Sequence, residues 1–211
     1  MTRRRAWIAT AGAIAVVGFS PAVAGAAKVK NGGFETGGLG GWEQTYYPAP
    51  EAPAGLWDVY GGAMRGFVAP PQGDFAAVTS QGDPSAQILS QVVKLRDNRR
   101  HKLSFQLAYN NTNEVFHTPA SLQVAGENQQ FRMDVMKPGA PIRSVKNKHV
   151  LERVYRTEEG DPNQRDYDRV TANLTSYAGK EVRLRFTVVV TEAVLNAAID
   201  AVKVRTRPLA G

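Results

Sequence analysis

Two residue patterns in this chain have chemical potential. The first is a set of aromatic side chains in or beside Pro- and Gly-rich stretches, Tyr46, Tyr47, Trp57, Tyr60, Phe67, Tyr109 and Phe116. Polar side chains on the wet side of alternating segments, Gln106, Gln123, Gln130, Arg132 and Asp134, accompany them. A sugar ring offers a flat apolar C–H face and a rim of hydroxyls, so flat rings beside amide, guanidinium and carboxylate groups match it. On that ground Trp57, Tyr60, Gln106, Tyr109, Arg132 and Asp134 are the candidate ligand-binding residues. Trp57 serves equally well as a core residue, because alternation groups it with Val59. The second pattern is Asp200, which period two places on the same face as Val202 and Val204. A charge among apolar neighbours is costly unless it is paired or coordinated. A metal, a salt bridge to Arg or Lys, or partial solvation at a strand end would each answer that cost.

Other chemistry is absent from the pattern. With no cysteine there is no thiolate nucleophile, no disulfide and no Cys-ligated metal. His101, His117 and His149 stand far apart, without metal-ligand spacing. No nucleophile elbow occurs, and the run Gly37-Gly38-Leu39-Gly40-Gly41 lacks the Lys of a phosphate loop. Glu158, Glu159, Asp161, Asp166 and Asp168 crowd one polar stretch, whereas a glycosidase opposes two carboxylates across a bond. The expectation is a protein that binds rather than catalyses.

Basic residues gather as Arg96, Arg99, Arg100 and Lys102, and again as Arg143, Lys146, Lys148, Arg153 and Arg156. Nucleic-acid binding would want them on one face with aromatics between. The charge balance argues against it. Residues 1–26 read as a cleaved export signal, with Arg3, Arg4 and Arg5 ahead of an apolar run and small residues at its end. Setting those three arginines aside turns 26 basic side chains into 23 against 19 acidic ones, so a net charge of +7 becomes +4. The expected product is secreted, without a membrane span after signal cleavage. An acidic polysaccharide suits the basic clusters better than nucleic acid does.

The elements that must position these residues are strands. Residues 101–109 alternate strictly, with Leu103, Phe105 and Leu107 on one face and Lys102, Ser104 and Gln106 on the other. Residues 130–136 and 181–188 repeat the pattern, so each strand has one buried and one wet face. Further strands are predicted at 56–60, 75–80, 87–95, 121–124, 150–156, 167–174 and 197–205, with long loops at 43–56, 61–73, 137–149 and 157–166. About ten strands without a competing amphipathic helix predict an all-β fold, an antiparallel β-sandwich, as one domain over residues 27–211.

The two ends carry the most specific signal. Asn31-Gly32-Gly33-Phe34-Glu35 followed by Gly41-Trp42 resembles the opening of the galactose-binding-like jelly-roll domains, in particular carbohydrate-binding modules of the family 4, 9 and 22 type. Gly73-Asp74-Phe75, Leu89-Ser90-Gln91-Val92-Val93 and Lys102-Leu103-Ser104-Phe105 resemble inner strands of that family. Leu174-Thr175-Ser176-Tyr177-Ala178-Gly179 and Ile199-Asp200-Ala201-Val202-Lys203-Val204 resemble its closing segments. The resemblance implies a jelly roll in which Phe34 and Trp42 are core residues. It also implies a structural calcium where the opening motif meets the last strand, with Glu35 and Asp200 as the matching carboxylates, and an ion there would tie the chain ends together without disulfides.

These readings converge on an exported, noncatalytic module that binds extracellular or cell-wall glycans and holds a structural calcium. A secreted adhesion or protein-binding module on the same fold, or a hydrolase of unassigned type, are the alternatives.

Overall fold

A computed structural model describes residues 28–47, 56–64, 66–81 and 83–209. The residues read as an export signal and the Pro-rich part of the stretch read as the 43–56 loop lie outside the described residues. Ten strands occur among those described: β1 (Glu43–Tyr47), β2 (Asp58–Gly61), β3 (Phe75–Gln81), β4 (Ser85–Lys94), β5 (Arg99–Asn111), β6 (Gln130–Met136), β7 (Val150–Arg156), β8 (Gln164–Asn173), β9 (Glu181–Val190) and β10 (Leu195–Pro208). They form two five-stranded antiparallel sheets, ordered β1-β4-β9-β6-β7 and β2-β3-β10-β5-β8. The expected sandwich is present. No helix among the described residues is long and apolar enough to cross a membrane.

Alternation fills the space between the sheets. Phe131, Met133, Val135, Val182, Leu184, Phe186 and Val188 come from the first sheet, and Leu103, Phe105, Leu107, Ile199, Val202 and Val204 from the second. Phe34 and Trp42 pack there as implied, their rings 5.7 Å apart, and Trp42 meets Phe186 at 5.9 Å. Apolar area removed from water contributes roughly 25 cal/mol per Å², so this shared layer holds the sheets together.

Three expectations change. Residues 43–47, read as loop, form β1, because Thr45 and its neighbours find pairing partners on β4 (Thr45↔Ile88). Residues 121–124, read as a strand, pair with no strand and lie in a loop. Asp200 does not share a face with Val202 and Val204. A bulge lies between Asp200 and Lys203, with Ala201 at φ 50°, and the inserted residue turns Val202 into the core while Asp200 faces the opposite side beside Gln106.

Candidate functional site

The outer face of the first sheet is not open. Residues 119–125 and 137–149 fold back across it, and Leu122, Val124, Ile142 and Val145 pack on Ala86, Ile88 and Val189. Beneath them Arg132 Nε and Nη2 donate to the two Asp134 oxygens at 2.7 and 2.9 Å, and Arg185 Nη2 donates to Asp134 Oδ2 at 2.5 Å. Burial pushes the Asp134 carboxyl up, but the two guanidiniums outweigh it and hold it below the ordinary range. Arginine also fastens the covering loop. Arg185 Nη1 donates to the carbonyls of Ile142 (2.5 Å) and Ser144 (2.9 Å), and Arg183 Nη1 to that of Ala140 (2.9 Å).

Between the two covering segments lies a cleft of about 650 Å³, lined by Tyr47, residues 120–125, residues 141–146, Lys148 and His149. This is within the range of small-ligand sites. Tyr47 ends β1 at its rim with 42% of its surface exposed, and the Arg143 guanidinium lies 3.7 Å from its ring centroid. A cation over a tyrosine face is attractive and fixes both groups. Gln123, Arg143, Lys146 and Lys148 add exposed polar and cationic groups. The cleft therefore combines an aromatic ring, amide and guanidinium donors, and a floor held by buried arginines.

The six candidate ligand residues do not share a surface. Trp57 is 2% exposed and sits in the core, so it offers no platform. Tyr109 is also in the core, edge-on to Phe116 at 5.4 Å, because the alternation of Leu103, Phe105 and Leu107 carries on to it. Tyr60 lies half-buried on the outer face of the second sheet against Phe67, Ala76 and Val78. Gln106 is half-buried on that same outer face. Arg132 and Asp134 occupy the alternating polar face as read, but the covering loops bury them at 1% and 0% exposure, where they hold each other. Tyr47 and Arg143 stood in the sequence as a loop aromatic and a member of a basic cluster; only their proximity was missing.

Both carboxylates of the candidate metal pair accept backbone hydrogen bonds from the segment 72–75. Asp200 Oδ2 accepts from the Gln72 N–H at 3.2 Å, while Glu35 accepts from the Asp74 and Phe75 N–H groups at 3.0 and 3.4 Å, so both grip one short segment. The Ala201 N–H also donates to Asp200. Asp200 is fully buried, and burial, with the Glu35 charge adding to it, pushes its carboxyl up to about 6. Among the described residues neither carboxylate has a Lys or Arg partner within ion-pair distance. Backbone strain gathers here: Asn31, Phe34 and Ala201 all have positive φ, rare for residues with side chains. A buried anion short of positive charge fits a hard dication. No group of three or more His, Asp or Glu side chains gathers among the described residues, so further ligands would have to be backbone carbonyls or water.

The three histidines end in separate places. His101 is buried with Nε2 at 2.8 Å from the Arg96 carbonyl, and His117 Nδ1 is 2.7 Å from Glu192. His149 Nδ1 lies 2.7 Å from Ser144 Oγ, and the Lys146 N–H donates to that same Oγ at 3.3 Å. Burial and Lys148 hold the His149 imidazole below its ordinary value, and its contact with Ser144 closes a turn.

No protein-family model and no curated protein matches the chain. Solved structures do. TmCBM61, solved in complex with β-1,4-galactotriose, superposes with a TM-score of 0.54 at 13% identity, over 87% of this chain and 100% of that one. A cyclase from Fischerella sp. TAU, in complex with 4-(1H-indol-3-yl)butan-2-one, gives 0.54 at 16% identity over 89% and 100%. The CBM22-1 xylan-binding domain of Paenibacillus barcinonensis Xyn10C gives 0.50 at 14% identity over 89% and 100%. The fold is that of the jelly-roll carbohydrate-binding modules, as the end motifs imply. The cyclase shows that one sandwich supports unrelated roles, so function has to be argued from the site.

Proposed function

We propose that this protein is an exported, noncatalytic glycan-binding module whose ligand sits in the cleft between residues 119–125 and 141–149. The observation that carries this reading is the Tyr47–Arg143 stack at the rim of a cleft whose floor is fastened by Arg185 and Arg183. Such a site is formed before the ligand arrives, which limits the ordering cost of binding. Sugar-binding neighbours on the same fold support the ligand class. A binding role is favoured over hydrolysis because the Ser144–His149 pair is a local turn with lysines around it and, among the described residues, no carboxylate hydrogen-bonded to the imidazole.

A structural calcium between Glu35 and Asp200 completes the reading. The ion would supply the positive charge that the buried Asp200 lacks and would join the opening turn to β10, where the Val202 N–H already donates to the Gly32 carbonyl at 2.8 Å. Protein–protein adhesion through the same cleft is the second reading.

The test is a panel of neutral glycans against residues 27–211, with and without chelator, for the native chain and for Tyr47→Ala and Arg143→Ala. Retention of a glycan by the native chain and its loss in both variants is expected. If no glycan is retained under any condition, the reading falls.

A further inference from the structure

On the far side of the sandwich, the ends of β5 and β10 place like charges opposite one another. Arg100 faces Arg207 and Lys102 faces Arg205 in successive outward registers. All four side chains are exposed. Arg169 of β8, also exposed, completes the lining of the same depression, about 620 Å³ in volume, together with Thr171 and Asn173. No carboxylate lines it. Among the described residues none of the five cations lies within ion-pair distance of an acid, whereas Arg132, Arg156, Arg165 and Arg185 each have one.

Like charges directly opposite on paired strands are destabilising. Two such pairs in a row, with a fifth cation beside them, are a cost that folding alone does not explain. An external polyanion would remove it. Outward neighbours along a strand stand roughly 7 Å apart and adjacent strands roughly 5 Å apart, so the two opposed pairs form a grid, with Arg169 further along beside Gln106, that meets several anionic groups of one extended chain together.

We propose that this face is a binding site for an anionic polysaccharide, one carrying carboxylate or sulfate groups. The composition of the depression selects among polyanions. Among the described residues no Phe, Tyr or Trp lines it, and the one imidazole there, His101, is buried, so nucleobases would find no exposed stacking platform. The Thr171 hydroxyl and the Asn173 amide amid the cations suit a chain that bears hydroxyls as well as charge. The site lies on the second sheet, away from the Tyr47–Arg143 cleft on the first, and does not depend on it.

The experiment is affinity electrophoresis and titration calorimetry of the mature chain with polygalacturonate, dextran sulfate, neutral dextran and single-stranded DNA, at two salt concentrations. Binding to at least one acidic polysaccharide, weakened by salt and absent for neutral dextran, is expected, and the polymer retained tells carboxylate from sulfate. The double variant Arg205→Gln/Arg207→Gln should bind roughly tenfold or more weakly, since hydrogen bonds to charged groups are lost. The charge-matched control Lys94→Gln/Lys180→Gln should bind as the native chain does. Because the variant relieves like-charge pairs, its unfolding midpoint should equal or exceed the native one, which separates lost binding from lost folding. The proposal is overturned if neither acidic polymer binds, if both double variants weaken binding equally, or if single-stranded DNA binds as tightly as the acidic polysaccharides. Variants at Tyr47 and Arg143 should leave this binding intact, so its failure and that of the cleft are separately visible.

Discussion

Arg185 on β9 and Asp134 on β6 stand opposite each other in the sheet, 2.5 Å apart from Nη2 to Oδ2, and solvent reaches neither side chain. The same guanidinium holds the carbonyls of Ile142 and Ser144. A buried ion pair thus serves as the anchor of a surface loop.

Asp134→Asn leaves Arg132 and Arg185 buried without their counter-charge. Breaking a buried pair costs about 3–5 kcal/mol. Denaturant unfolding should show a loss of that size, well above the effect of Glu158→Gln, which removes an exposed pair with Arg156.

Arg185→Lys keeps a charge but loses the planar fork that reaches Asp134 and two carbonyls at once. Limited proteolysis should then cut within residues 137–149 sooner than in the native chain, while the sheets persist. Equal cleavage rates would show that the loop is held by Leu122, Ile142 and Val145 instead.

Tyr47 and Trp57 should respond in opposite ways. Trp57→Ala empties a core position and should cost about 3–5 kcal/mol of stability. Tyr47→Ala should change stability little and abolish retention of neutral glycans. A Trp57→Phe variant that folds yet loses the glycan would overturn the assignment of Trp57 to the core.

Asp200 and Asp134 shift in opposite directions, and the signs give separate pH signatures. Metal-free, the folded state keeps a proton on Asp200 between its ordinary value of 3.8 and about 6 that the unfolded chain has lost. Stability from this group therefore falls as pH rises through that window, and Asp200→Asn should flatten the slope. Calcium binds the carboxylate form, so its stabilising effect on the melting temperature should grow as pH rises through about 6, level off above it, and vanish in Asp200→Asn. No shift with calcium in the native chain would remove the metal proposal. The lowered Asp134 contributes stability above its unfolded value that is lost as pH falls toward its folded one.

Gly73 has φ +68°, and a β-carbon there would collide with the Glu35 carboxylate. Gly73→Ala should destabilise by about 1–3 kcal/mol through positive φ and that collision together. Adding Glu35→Ala should recover the steric part only, so a double-mutant cycle measured by thermal melts should show positive coupling.

Local pattern determined a good deal of this protein. Period-two alternation marks β5, β6 and β9 and names their inward residues, because each strand must turn one face to the other sheet. The end motifs carry Phe34 and Trp42 into the core and set Glu35 and Asp200 on the same short segment, 72–75. The same pattern contained Tyr109's burial, since it continues the row of Leu103, Phe105 and Leu107. Alternation says which residues face away from the core; it does not say that they face water. Arg132 and Asp134 face away and are dry, because residues 119–125 and 137–149 come back over them from far along the chain. The bulge at Ala201 likewise reverses the face of Asp200, one inserted residue being enough to shift every side chain before it relative to those after. The meeting of Tyr47 with Arg143, and of Lys102 with Arg205, required strands and loops about 100 residues apart to pair in register. Such contacts are set by which strand lies beside which, a decision that only the packed sandwich makes.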